Sequence, residues 1–504
     1  MLLNSQSFDY DTPRSRTRCA ARLASMLASG GDGRIRLDAQ GRNQYHASAV
    51  PSDALAYGSS TINSISAHAF DMLIGQWRDR LDQPVASADY FEGLGAIREQ
   101  VGDYFGLAGE AAIVFAASGT DLEYVGLAAA YDGRPLTAVL LGRDEVGSGC
   151  VHSAAGRFFA GETATGARVA AQAAIDPAFA GTELIDIAVR DATGNPRSSA
   201  AVTAELSLHI ERAAAHRRRA VVHVVHGSKS GLTLPALNDV ERLVAAHGDA
   251  MTIVVDACQL RITPAVVRRY IALGCVVLMT GSKFAGGPPF SGFALVPASA
   301  RDRAHPLPTG FRRLSNRAEW PEDWPGADRL HATANFGLLL RLQAALFEME
   351  RFAVLPEDRV THVAARFGHH VMRLVKRLEL AEVPGAGTNC LATETLRTLD
   401  LSARWPQCDF DAAKDMHGLI ARETRRWLGQ EIRLGQPVKT HPLADGRVAG
   451  TFRLSLSMPL LAEMAGLPDA ALDARLDRDM SLIGAAISAA GAVHFAAPRP
   501  APVD

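Results

Sequence analysis

Cysteine is scarce in this chain: six in 504 residues, Cys19, Cys150, Cys258, Cys275, Cys390 and Cys408, with no C-x-x-C pair among them. That argues against a disulfide frame and for reduced thiols in the cytoplasm, and no metal site is expected. An excess of charge of one sign is missing too. Lys and Arg number 52 against 54 Asp and Glu, a net charge of −2, so nucleic acid is not an expected partner. The one basic run, His216-Arg217-Arg218-Arg219, precedes an expected strand and reads as a solvated helix end. No apolar run approaches the length of a membrane helix, Val276-Val277-Leu278-Met279 being strand-sized, so no membrane partner is expected. The start, Met1-Leu2-Leu3-Asn4-Ser5-Gln6, turns polar at once and lacks an apolar leader, and the chain is expected to stay in the cytoplasm. Internal repeats are absent. So is a Gly-x-Gly-x-x-Gly or Walker turn at a strand-to-helix junction, which disfavours a non-enzymatic nucleotide-binding protein.

What is present is an ordinary globular balance, 48 % hydrophobic and 21 % charged, over a length suited to two or three packed units. Between about residues 90 and 300, short apolar runs alternate with helical patterns, the mark of a parallel sheet covered by helices. Strands are expected at 113–116, 137–141, 220–225, 252–255, 275–279 and 292–296. Helices are expected at 235–247 and 264–273, each with proline near its start. Runs such as Val221-Val222 and Ile253-Val254-Val255 are apolar on both faces, as buried parallel strands require. A long helix over 332–352 follows, with Leu338, Leu339, Leu342, Ala345 and Leu346 inward and Arg341 pointing away. The expected division is an N-terminal arm at 1–70 packing on the small domain, a large domain at 71–330, a small α+β domain at 331–490, and a disordered tail at 491–504. The start through Arg18 is also expected to be disordered. The Ala- and Gly-rich stretch near 160–200 has no assignment.

Chemistry is expected at the carboxyl ends of the strands, where a doubly wound sheet opens onto helix starts. Ser118-Gly119-Thr120-Asp121-Leu122-Glu123 follows one strand, and Thr120 with Glu123 has the spacing of a capping box. Free N–H groups at such a turn suit a phosphate, although a plain capped helix reads the same way. Asp256 leaves another apolar run, and a carboxylate there needs a cationic partner unless it caps the next helix. Gln259 lies about one helical turn further on. Thr280-Gly281-Ser282-Lys283 leaves a third run toward Gly286-Gly287-Pro288-Pro289. Desolvating a lysine there favours the neutral amine that a Schiff base requires, and Thr280 and Ser282 offer hydroxyls to a phosphate. Arg453, on an alternating strand at 451–458, can offer its fork to a carboxylate, but an arginine on a strand is more often structural. His223 and His226 lie near another strand end, where a core role is the commoner outcome. His226 or Ser228 can instead approach a bound ligand.

Taken in order, Ser118-Gly119-Thr120, His152, Asp256-x-x-Gln259 and Thr280-x-Ser282-Lys283 resemble the motifs of fold-type I pyridoxal-phosphate enzymes, and within them the class V aminotransferase and cysteine desulfurase group. The resemblance runs from about residue 55 to 480. It implies a mostly parallel doubly wound sheet in a large domain, a smaller α+β C-terminal domain, and a homodimer with active sites at the interface. It implies pyridoxal 5′-phosphate as cofactor, with Ser118, Gly119 and Thr120 at the phosphate and His152 stacked on the ring. Asp256 and Gln259 would touch the ring nitrogen and phenolic oxygen, and Thr280, Ser282 and the Schiff-base residue Lys283 would complete the pocket. Thr280 and Ser282 stand where Ser and His are usual. Arg453 matches the arginine of the group's Arg-x-Ser-Leu strand, which holds the substrate carboxylate, and Arg433 is a second candidate. Gln436-Pro437 occupies the place of the desulfurases' mobile cysteine, which argues against sulfur transfer. The arm at Tyr57-Gly58-Ser59-Ser60-Thr61-Ile62-Asn63-Ser64 either lines the substrate pocket or is a surface loop. The expected reaction is transamination of an amino acid with Lys283, Asp256 and His152 as catalytic groups; the alternative is a lyase or carbon–carbon bond-forming reaction.

Overall fold

The computed structural model describes residues 13–58, 61–81, 86–385 and 391–496. Its strands, in chain order, are β1 (Leu55–Tyr57), β2 (Ala111–Ala116), β3 (Leu136–Leu141), β4 (Glu183–Ile187), β5 (Arg219–His226), β6 (Thr233–Leu234), β7 (Met251–Asp256), β8 (Val276–Thr280), β9 (Gly292–Pro297), β10 (Ala381–Glu382), β11 (Leu396–Asp400), β12 (Ile432–Leu434) and β13 (Thr451–Ser455). The main sheet runs β2-β9-β8-β7-β5-β3-β4, with β6 folded back on β5. β9 is antiparallel to both neighbours, while β8, β7, β5, β3 and β4 pair in parallel. β3, β5, β8 and β9 are buried along their whole length, because helices cover both faces and no strand side is left to water. The carboxyl ends of β2, β3, β5, β7 and β8 therefore share one edge. Each expected strand is found there within two residues of its expected limits.

The C-terminal unit holds the antiparallel sheet β10-β11-β13 and the helices Glu357–Arg377, Phe410–Leu428 and Asp469–Ala496. β1, from the N-terminal arm, pairs in parallel with β12 of this unit.

Four expectations change. Residues 13–18 belong to a helix, Pro13–Leu27, which buries Leu23 and Leu27. The last helix runs to Ala496, past the expected boundary at 491. That helix also has the length and composition of a membrane span, but Leu472, Leu476, Ile483 and Ile487 are buried, and Arg478 pairs with the buried Asp479. These contacts make it a core helix of this fold. The fourth is Arg341, on the helix Phe336–Ala353. It points inward, fully buried, and donates to the carbonyls of Phe290, Leu27, Ser29 and Gly30, because the N-terminal arm covers that face. The basic run at 216–219 caps a helix at His216 and then anchors β5, where Arg219 is buried against Asp132, Thr252 and Met251. The segment near 160–200 supplies the edge strand β4 and a loop whose Ala164 packs with Ile35 and Phe290.

Candidate active site

The first component is the turn after β2. Ser118 is the N-cap of the helix Gly119–Ala130, its hydroxyl accepting from the Asp121 amide. The cap is thus Ser118 with Asp121, two residues earlier than the expected Thr120–Glu123 pair. The first N–H groups of a helix lack intrahelical acceptors, which leaves those of Gly119 and Thr120 facing the sheet edge. A Cβ on Gly119 would lie 2.9 Å from Cys258 Sγ and 3.3 Å from Thr280 Cγ2. The turn therefore sits directly against the segments that carry Asp256 and Lys283. Glu123, on the same helix, lies 2.8 Å from His223 of β5, both buried, at an angle that does not make a hydrogen bond.

Asp256 ends β7, partly exposed, and accepts from the Cys258 amide through Oδ1 at 2.9 Å. Gln259 is buried, and its Oε1 accepts from Arg261 at 2.8 Å. Thr280 ends β8, and its hydroxyl donates to Cys258 O, while Ser282 reaches the Thr280 hydroxyl at 3.3 Å. Lys283 follows, half-buried, with its carbonyl and that of Ser282 held by Asn63 Nδ2 at 3.0 and 3.4 Å. The arm at 57–64 thus packs against the lysine segment; Ser59 and Ser60 lie outside the described residues, as does Cys390.

Burial pushes the Cys150 and Cys258 thiols well up, and both lie in the fields of Asp256 and Lys283. The four groups therefore lie close together at the carboxyl edge of the sheet. His152 stands two residues beyond Cys150 on a short helix, half-buried, with no ring hydrogen bond among the described residues.

The two arginines differ. Arg453 is buried in β13 and gives Nε to Gln436 O at 2.8 Å and Nη1 to Lys229 O at 3.1 Å, which leaves Nη2 without a partner among the described residues. Burial lowers its pKa to about 10. Arg433 is engaged on every side. It pairs with Glu431 at 2.7 Å and also donates to Ser64 Oγ and Ile62 O, so it has no open edge for a carboxylate. The expectation of a second carboxylate-binding arginine does not fit this geometry.

Three residues at the site carried no signal in the sequence. Arg34, from the arm, pairs with Asp32 at 2.6 Å, donates to Ser118 Oγ at 3.1 Å, and lies over the rings of Phe159 and Phe290. Burial works against its charge, but Asp32 outweighs it and the guanidinium pKa is raised. Arg261 is fully buried over the Phe284 ring and ties Gln259 to Thr395 and to Leu456 O. Lys229 lies in the loop after β5; burial, then Arg453, pushes its pKa down to about 8. Isolated basic residues in polar loops read as solvated, so only the contacts distinguish these three. His226 accepts the core role: its Nδ1 meets Tyr270 Oη at 3.2 Å, and Ser228 is bound to Glu145.

The fold has relatives among solved structures. Ureidoglycine–glyoxylate aminotransferase from Bacillus subtilis superposes with a TM-score of 0.54 at 12 % identity, covering 90 % of this chain and 96 % of that one. Cysteine desulfurase from Escherichia coli gives 0.52 at 16 %, covering 88 % and 95 %, and pyridoxamine–pyruvate aminotransferase from Mesorhizobium loti gives 0.50 at 16 %, covering 88 % and 98 %. The chain has the fold of the type I pyridoxal-phosphate transferases. No family model and no curated protein sequence matches it. Within the fold-type I frame, the antiparallel β9 between β2 and β8 places the Gly119 turn beside the Lys283 segment, which chain order alone would separate.

Proposed function

We propose that this protein is a pyridoxal-phosphate-dependent enzyme that acts on an amino acid, with transamination as its reaction. The observation that carries the reading is the convergence of Lys283, Asp256 and the Gly119–Thr120 turn on one sheet edge. The donor set fits the cofactor. Free helix-start N–H groups and the Ser282 hydroxyl suit a dianionic phosphate, and a partly exposed carboxylate at the strand end suits a ring N–H. Arg34 adds a cation beside that turn.

When bound, the cofactor supplies an electron sink for charge developing at the substrate α-carbon. The protein's part is to bind, orient and move protons. Gly119, Thr120 and Ser282 would hold the phosphate end, and Asp256 would hold the proton on the ring nitrogen. Gln259, steadied by Arg261, would bound the phenolic side, and His152 would be the residue to cover the ring. Arg453 Nη2 takes the substrate carboxylate, and the Lys283 amine removes the α-proton and returns one. Transamination needs no catalytic group beyond these. The family resemblance of the motifs suggests a homodimer, which sedimentation of the purified protein would test, and the few scattered cysteines suit a cytoplasmic protein.

The deciding experiment is the visible spectrum of the protein with added pyridoxal phosphate, taken while amino acids are supplied one at a time. A yellow band, absent in Lys283→Ala and lost when one amino acid is converted to its keto acid, supports the reading. A band that persists while a β-eliminated or coupled product appears replaces transamination by the lyase or bond-forming reaction. No band in the wild type overturns the proposal.

A further inference from the structure

The phosphate turn carries a carboxylate of its own. Asp121 is buried in the first turn of the helix Gly119–Ala130, which Ser118 caps. The Ser118 hydroxyl gives its proton to Asp121 Oδ2 and accepts from the Asp121 amide, so the cap is closed within the turn and that hydroxyl has no proton left for a phosphate. A carboxylate at a helix start stabilises the helix by meeting the positive end of its dipole. Here it also stands beside the amides that would take a phosphate dianion, and the like charges repel. The Gly119 and Thr120 amides alone make a poor host for a dianion under those conditions. The turn needs a cation fixed beside Asp121.

The N-terminal arm brings one. Arg34 donates through Nη2 to Ser118 Oγ at 3.1 Å, onto the same hydroxyl that holds Asp121. Its place is set from several sides. The buried Asp32 accepts from the Arg34 amide at 2.9 Å and from Nε and Nη2 of its side chain. The guanidinium lies 4.9 Å from the centre of the Phe159 ring and 5.2 Å from that of Phe290. Ile35 is buried with Phe290 and with Ala117, the residue before Ser118, and Arg36 pairs with Glu162. The Asp32 pair and the Ile35 contact already tie the arm down; the bond to Ser118 is the one that reaches the turn. Burial pushes the Asp121 carboxyl up to about 6, and Arg34 is the foremost charge acting against that, ahead of the opposing Asp32. The field of Arg34 on Asp121 is therefore not cancelled by its own partner.

We propose that Arg34 is a positioning residue for the cofactor phosphate, offsetting Asp121 so that the Gly119–Thr120 turn accepts a dianion. The proposal rests on the pyridoxal-phosphate reading and deepens it. The test titrates the apoprotein, at a pH above 7 where Asp121 is ionised, with pyridoxal 5′-phosphate and with pyridoxal, which lacks the phosphate. Binding is followed by the yellow band, and calorimetry with inorganic phosphate reads the turn without the ring. Arg34→Gln is expected to weaken pyridoxal phosphate and inorganic phosphate by about tenfold or more, and pyridoxal by less than about twofold. Asp121→Asn keeps an acceptor for Ser118 without the charge. Added to Arg34→Gln it should restore most of the lost affinity, and alone it should tighten inorganic phosphate by about threefold or more. Thermal melting reports whether the variants fold; should Arg34→Gln not fold, Asp121→Asn alone decides. An equal loss for pyridoxal phosphate and pyridoxal in Arg34→Gln, or no gain from Asp121→Asn, overturns the role of Arg34 and leaves the cofactor reading standing. A wild type without the yellow band overturns the cofactor reading, and this proposal with it.

Discussion

At the scale of single residues, the site divides by whether a side chain contradicts its surroundings. Asp256 and Lys283 were legible because a charged residue at the end of a fully apolar strand is costly without a partner. Arg34, Arg261 and Lys229 were not, because nothing in their local sequence shows that other segments fold over them. Gly119 belongs to the legible class, and its role is steric as well as electrostatic. Gly119→Ala places a methyl 2.9 Å from Cys258 Sγ, on a short side chain that has little room to retreat. The turn must then shift by a few tenths of an ångström. The expected outcome is cofactor affinity reduced about tenfold or more, measured by titrating the apoprotein with pyridoxal phosphate, with a melting temperature within a few degrees of wild type. Arg261 makes the opposite case, a residue whose loss is felt mainly in stability. Arg261→Ala removes the donor to buried Gln259, the bond to Leu456 O and the contact over Phe284. A loss of about 3 kcal/mol is expected in urea unfolding, since buried acceptors are left unmatched. A change under 1 kcal/mol would show that the buried guanidinium ties nothing together.

Among elements, the buried strands were read correctly because their apolar runs are continuous and short. The helix at 336–353 was placed, but the direction of Arg341 was not, since period 3.6 cannot reveal that an N-terminal arm caps its far face. The same arm hides the helix Pro13–Leu27, whose Arg and Ser content resembles a disordered end. The paired helices Glu357–Arg377 and Asp469–Ala496 show what pattern can reveal once the partner is known. Asp469, Asp473 and Asp477 repeat at four-residue spacing and face Arg359 and His362, then Arg366 and His370, then Arg373. Each pair is partly exposed and individually weak, but the rungs share carboxylates and so act as a network. Asp473→Asn, which removes the charge met by both Arg366 and His370, is expected to cost about 1 kcal/mol at low salt. The cost should fall by half or more in 1 M sodium chloride, where the Debye length is about 3 Å. An equal cost at both salt concentrations would mean that the ladder is held by packing and not by charge.

Across the whole molecule, the balance of buried titratable groups sets how stability depends on pH. His226 sits against Tyr270 beneath the sheet edge and His417 against Leu434 O in the C-terminal unit, and burial lowers each to about 4 from an ordinary 6.5. The unfolded chain therefore binds two more protons than the folded one once pH falls between those values. Stability is full above about 6.5 and is lost as pH falls toward 4, by about 3 kcal/mol per histidine at most. Glu319 works in the other direction. Buried against Tyr90 and Asn316, its carboxyl is pushed up to about 7 from 4.5, so its contribution is full below 4.5 and is lost as pH rises through 7. Two histidines outweigh one glutamate up to about pH 6.5, and the glutamate alone acts between there and 7. The expected melting temperature thus passes through a maximum between about pH 6 and 7 and falls more steeply on the acid side. His226→Gln keeps a partner for Tyr270 without the titration and should remove one of the two histidine contributions, leaving stability nearly flat between about pH 4.5 and 6.5. Glu319→Gln should remove the fall above about pH 6.5 and steepen the rise between about 4.5 and 6.5, where the glutamate opposes the histidines, while lowering stability at acid pH, because an amide offers one acceptor oxygen where the carboxyl group offers two to Asn316 and Tyr90. Melting curves of the wild type and both variants at half-unit intervals from pH 4 to 8 test the assignment. An acid slope unchanged in His226→Gln would place the proton uptake in other groups.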